Sequence, residues 1–175
     1  MRPTFRPMVP IALGIAVALQ AAGLAAQAAG TVQVSYVQPD RYIDAGIRQH
    51  DVENTLSDLT RHFELLAKRH LSDGQTLHIE VLDIDLAGRE YPWRRAAQDV
   101  RVLTGRADWP RIHLRYTLEM AGHPPRKAAQ WVSDMAYLHR AANLHAKESL
   151  GYEKRMLAEW FSAEFGAAGG KDRIN

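Results

Sequence analysis

The stretch Arg111–Met120, RIHLRYTLEM, decides the fold. Ile112, Leu114, Tyr116, Leu118 and Met120 alternate with His113, Arg115, Thr117 and Glu119. A period of two held over ten residues is that of a β-strand with one buried and one wet face. Such a strand needs a covering layer on its apolar side only. Outward from it, Ala121-Gly122-His123 reads as a turn, and Arg126–Val132 returns as the hairpin partner. On the other side lies a second long strand, Thr76–Leu86 (TLHIEVLDIDL), whose alternation slips. Leu77, Ile79 and Val81 occupy odd positions, whereas Leu82, Ile84 and Leu86 occupy even ones. One buried face holds both sets only if an extra residue resets the phase, which predicts a β-bulge near Val81-Leu82. A central strand covered on both faces would need no bulge.

Thr31–Val37 alternates as well, with Val32, Val34 and Tyr36 on one side, and Pro39-Asp40 ends it. From Asp51 to Leu71 the apolar residues Val52, Leu56, Leu59, Phe63 and Leu66 recur at three- and four-residue steps, an amphipathic helix with Asp51 as its expected N-cap. Ala87–Pro110 is a long connection with room for a short strand at Val100–Leu103. Ser133-Asp134 starts either a short helix through Asn143 or a continued strand. A last helix, capped by Ser149 and Gly166, carries Met156, Leu157, Trp160, Phe161 and Phe165 on one face. The order β-α-β-β-β-α implies an α+β fold, a mainly antiparallel sheet of about four strands with helices packed on one face. The expected domain is 29–166, followed by a disordered tail, 167–175.

The first 28 residues read as an address. Arg2 and Arg6 precede an apolar run, Met8–Leu19, and small residues end in Ala26-Gln27-Ala28, the pattern of a secretory signal peptide cleaved after Ala28. The alternative is a retained inner-membrane anchor, but that run is 12 residues long and contains Pro10, against about 20 for a spanning helix. Cleavage places the protein in the periplasm with no stable membrane insertion. It also changes the charge. Removing residues 1–28, which hold two Arg and no acid, leaves 147 residues with 20 basic and 20 acidic groups. The +2 of the whole chain belongs to the leader, and no basic surplus remains to neutralise a nucleic acid. The absence of cysteine excludes disulfides and thiolate catalysis.

Several blocks occur in a suggestive order. They are Asp83-Ile84-Asp85-Leu86-Ala87-Gly88, Pro92-Trp93, Trp109-Pro110-Arg111-Ile112, Arg115-Tyr116, Ser133-Asp134, Tyr137-Leu138, Tyr152-Glu153-Lys154, Met156-Leu157 and Trp160-Phe161. Together they resemble family 3016 of the domain-of-unknown-function series, exported proteins of Gram-negative bacteria. The resemblance runs from about Thr31 to Phe165 and departs at His123-Pro124-Pro125, where the family has a plainer turn. It implies one exported domain with no assigned reaction, cofactor or catalytic residue.

Asp83 and Asp85 are the most suggestive pair for chemistry. Two residues apart on a strand they share a face, with Cα atoms about 6.6 Å apart, a spacing open to acid/base glycoside hydrolysis or a hard cation. The plainer reading is a ladder of opposite charges with His113 and Arg115 on the neighbouring strand. Tyr91, Trp93, Arg94 and Trp109 lie in the long connection, where aromatics either stack on a sugar or fold back over a sheet edge. Trp131 and Trp160 are expected in the core. The eight histidines show no ligand spacing: His62 and His70 are eight apart, and His139 and His145 lack an H-E-x-x-H pattern. No metal site and no cofactor is expected. There is no G-x-S-x-G and no Gly-rich phosphate loop.

These readings converge on an exported envelope protein that acts by binding a protein or a cell-wall component. The alternative is a hydrolase of envelope glycan or peptide using Asp83 or Asp85 with the loop aromatics. Nothing in the sequence fixes an oligomeric state. Expression of the full chain with its leader is expected to yield envelope-fraction protein whose N-terminal sequence begins at Ala29; recovery with Met1 in place would support the anchor instead.

Overall fold

The computed structural model describes residues 30–90, 101–139 and 148–166. Four strands, β1 (Thr31–Tyr36), β2 (Gln75–Asp85), β5 (Arg111–Met120) and β6 (Arg126–Ser133), form one sheet in the order β1-β2-β5-β6. A small ribbon of β3 (Arg89–Glu90) and β4 (Arg101–Val102) lies between β2 and β5 in the chain. β1 runs parallel to β2, because helix α1 (Gln49–His70) carries the chain back between them. The β2–β5 and β5–β6 pairs are antiparallel. The second helix, α2, spans Gly151–Phe165. The fold is the expected α+β arrangement.

β2 contains the bulge that its phase slip predicts. Val81 pairs with Leu114, and the next registered pair is Asp83 with His113, leaving Leu82 as the extra residue. This reset keeps Leu77, Ile79, Val81 and Ile84 all pointing into the core, each at most 1% exposed. β5 adds Ile112, Leu114 and Tyr116, and β6 adds Val132. Against them α1 buries Leu59, Phe63, Leu66 and Ala67, and α2 buries Met156, Leu157 and Phe161. Both helices therefore cover the same face of the sheet.

The helix ends correct two expectations. Asp51 is not the N-cap of α1; Arg48 is, and Asp51 sits at the third helical position, where its carboxylate accepts the Arg48 backbone N–H at 3.1 Å and the Arg48 guanidinium at 2.8 Å. A carboxylate there satisfies an orphan donor and complements the helix dipole. Likewise α2 begins after Leu150, in the left-handed region at φ 56°, rather than after Ser149. Gly166 is its C-cap, as expected, with its N–H on the Ser162 carbonyl. After β6 the chain makes turns over residues 135–139 rather than entering a helix at Ser133-Asp134; the rest of that expected helix, 140–143, lies outside the described residues.

Inserting an alanine after Leu82 is expected to destabilise far more than Leu82→Ala. The insertion shifts the strand beyond it by one residue and carries Ile84 to the wet face, a loss of about 2–3 kcal/mol of burial, and carries Asp85 inward. Urea-unfolding midpoints of the two variants measure the difference.

Candidate functional site

One end of the sheet gathers most of the sequence blocks that carry the family resemblance. The carboxyl end of β2, the start of β5, the end of β6 and the first turn of α2 meet there. Asp85, only 4% exposed, accepts from Arg111 through Nε at 2.9 Å and Nη2 at 2.8 Å, and from Arg89 at 3.4 Å. Asp83 shares its face with Asp85, as the two-residue spacing requires, but holds backbone: its Oδ1 accepts the N–H groups of Ile43 and Ile84, both at 2.8 Å. That bond docks the β1–α1 connection on β2. Arg115 meets neither aspartate. Its ion pair is with Glu80, directly across the β2–β5 ladder, so the expected charge ladder exists with different partners. Asp83 faces His113, and Asp85 faces Arg111.

Behind this row Arg101 threads the turn after β2. Its Nη2 donates to Asp44 at 2.6 Å and to the Gly88 carbonyl at 3.0 Å, its Nε to the Ala87 carbonyl at 2.8 Å, and its Nη1 to Glu90 at 3.2 Å. Burial disfavours its charge, but the carboxylates of Asp44 and Glu90 more than offset this and raise its pKa. The turn is tight enough to demand Gly88. Its φ is +75°, and a Cβ there would sit 2.6 Å from Leu103 and 2.7 Å from the Val102 carbonyl.

Glu153, in the first turn of α2, is buried beneath the same turn and accepts the Ala87 N–H at 2.7 Å. Burial raises its carboxyl above the ordinary glutamate range, against that hydrogen bond and the attraction of Arg101. A further knot closes the connection into β5. Burial opposes ionisation of Asp108, but hydrogen bonds from Thr104, Tyr137 and the Arg106 N–H outweigh it and hold the carboxyl low. Burial, with the Asp108 bond, pushes the Tyr137 hydroxyl up to about 12. Asp134 caps Ala136 and pairs with Arg155 at 3.0 Å.

Of the loop candidates, Trp109 is half-buried at the entry to β5; Tyr91, Trp93 and Arg94 lie outside the described residues. The expectation that Trp131 is core is wrong. Trp131 is 46% exposed on the helix-free face of the sheet, stacked on His113 with ring centres 4.7 Å apart and planes at 11°. β5 and the hairpin register carried that signal: Trp131 pairs with His113, so it must share the polar face. Trp160 does pack against the core, beside Tyr116 and Phe161.

The roles of Asp44, Arg101 and Glu153 were not legible in the sequence, because their partners lie 57 and 66 residues away. Elsewhere, a groove of about 1080 Å³ runs between α1 and α2, lined by Leu65, Arg69, Lys154 and Ala158 among others. Among the described residues no group of three or more His, Asp or Glu side chains is placed to hold a metal ion, and no helix is long and apolar enough to cross a membrane.

Chemically, Asp83 and Asp85 are anchors. Asp83 Oδ1 holds two backbone N–H groups, and both oxygens of Asp85 hold guanidinium groups. The raised carboxyl of Glu153 makes a signed prediction. Its protonated form is favoured in the fold, so stability falls as pH rises from the ordinary glutamate value, about 4.3, through the raised one. Glu153→Gln is expected to match the parent at pH 4 and to equal or exceed it at pH 7, read as urea midpoints at both values.

No curated protein and no solved structure matches the chain. A family model described as "Protein of unknown function (DUF3016)" matches residues 30–163, nearly all of the chain beyond the leader-like segment. Its span takes in the sheet, α1, most of α2 and all the ion pairs described above. The chain belongs to the DUF3016 family.

Proposed function

We propose that this DUF3016 chain is an exported envelope protein that works by binding, without catalysing a reaction. The observation that carries this reading is the commitment of the carboxylates at the motif-rich end. Asp44, Asp83, Asp85, Glu90 and Glu153 each hold a guanidinium or a backbone N–H. Glycoside hydrolysis by a carboxylate pair needs one carboxyl free to protonate a leaving group and another free to attack or to activate water. Here those groups fasten loops to the sheet. Export is supported by the basic, apolar and small-residue pattern of residues 1–28, and by a family match that begins at residue 30. The periplasm is the proposed compartment. A protein partner or a cell-wall component is the proposed ligand, and the mature chain's zero formal charge argues against nucleic acid.

Pull-down with the purified chain from detergent-solubilised envelope, together with turnover assays on isolated cell-wall glycan and peptide, tests this reading. Retention of a specific ligand with no bond cleavage is expected. Asp83→Asn and Asp85→Asn are expected to lower the unfolding midpoint. Release of products by the parent, abolished in either variant at unchanged fold, would overturn the proposal in favour of a hydrolase.

A further inference from the structure

We infer that the helix-free face of the sheet is a platform for an uncharged chain of β-linked pyranose units, with Trp131 as its stacking ring. This rests on the binding reading above and names its site and ligand class. Among the described residues both helices occupy one face, so the other presents β2, β5 and β6 side chains to solvent. An exposed tryptophan in that polar row is its one large apolar surface on β5 and β6 short of the strand ends. Its ring is already oriented by His113, and the Arg111 guanidinium lies 5.5 Å from the ring centre. A ring held in place loses little rotamer entropy when a ligand stacks on it.

Beside it the face is dented. A depression of about 260 Å³ is lined by His78, Glu80, Arg115, Thr117, Lys127 and Ala129. Ala129 pairs with Arg115 and lies two residues before Trp131 on the same face, so its small side chain leaves the space open. The lining supplies carboxylate, guanidinium, imidazole, hydroxyl and ammonium groups, the set that hydrogen-bonds vicinal hydroxyls.

Charge selects among ligands. Glu80, Asp83, Asp85 and Glu119 stand on this face against Arg111, Arg115 and Lys127, and Arg115–Glu80 and Arg111–Asp85 are already paired. Four acids against three bases leave a single net negative charge, the wrong sign for a polyanion and too little to recruit a polycation. A protein partner would ask for a cluster of apolar anchors at the interface centre, and this face offers a single ring amid polar side chains. A saccharide chain with equatorial linkages is a flat ribbon with apolar C–H faces and polar edges, which fits a ring followed by a polar dent.

The test is calorimetric titration of the full purified chain with cellotetraose and with its acetamido counterpart chitotetraose, at low and high salt. Saturable binding of at least one, insensitive to salt, is expected. Trp131→Ala should weaken it about tenfold or more, Trp131→Phe should retain most of it, and Leu65→Ala, exposed on the helix side, should leave it unchanged. Binding that survives Trp131→Ala, falls steeply with salt, or fails for both sugars on folded protein overturns the inference. In that last case, capture of a protein by the same chain leaves the binding reading standing, whereas capture of nothing removes both.

Discussion

Leu82 inserted between Val81 and Asp83 is the constraint on which the rest of the structure depends. The bulge that absorbs it keeps Val81 and Ile84 on the core side of β2 and leaves Asp83 and Asp85 on the opposite face, Asp85 buried under its guanidinium partners. With Leu82 present but no bulge to absorb it, the period of two would force a choice between the core contacts before the slip and those after it. With the bulge, the second half of β2 meets β5 in a register that sets Asp85 against Arg111 and Asp83 against His113. The bulge thus sets both the apolar packing against α1 and α2 and the polar row that reaches across β5 to Trp131.

The charged end of the sheet is then a problem of loop fixation. A turn such as Leu86–Gly88 has carbonyl groups with no strand partner, and burying them unsatisfied costs about 1–3 kcal/mol each. Arg101 supplies donors to three of them, and Glu153 accepts the Ala87 N–H from below. Asp44 and Glu90 balance the guanidinium, since a buried cation is tolerated only with its countercharge. Arranged this way, the ionisable residues of this end hold the loop geometry in place.

Much of this was legible in the residues alone, where the physics is local. The alternation in RIHLRYTLEM reports which face of β5 is wet, and the slip in TLHIEVLDIDL reports the bulge, because side-chain direction in a strand is fixed by parity. The helical spacing of Leu59, Phe63 and Leu66 reports the face that α1 buries for the same kind of reason. Asp51 and Ser149 were misplaced by a few residues or one, since a cap depends on backbone angles that side-chain type only biases. Size and apolarity point Trp131 to the core, but its register with His113 places it on the wet face.

By itself, then, the sequence determined the α+β class, the strand phases, the bulge and the blocks that mark the DUF3016 family, all of which follow from short-range periodicity and order along the chain. Only the tertiary structure decided what the charged residues do. Asp83 capping Ile43, Arg101 gripping Asp44 and Glu153 reaching Ala87 join positions 40 to 66 residues apart. Whether a carboxylate is a free acid or a clasp depends on which donors the fold brings within about 3 Å of it, and that distance is a property of the packed chain.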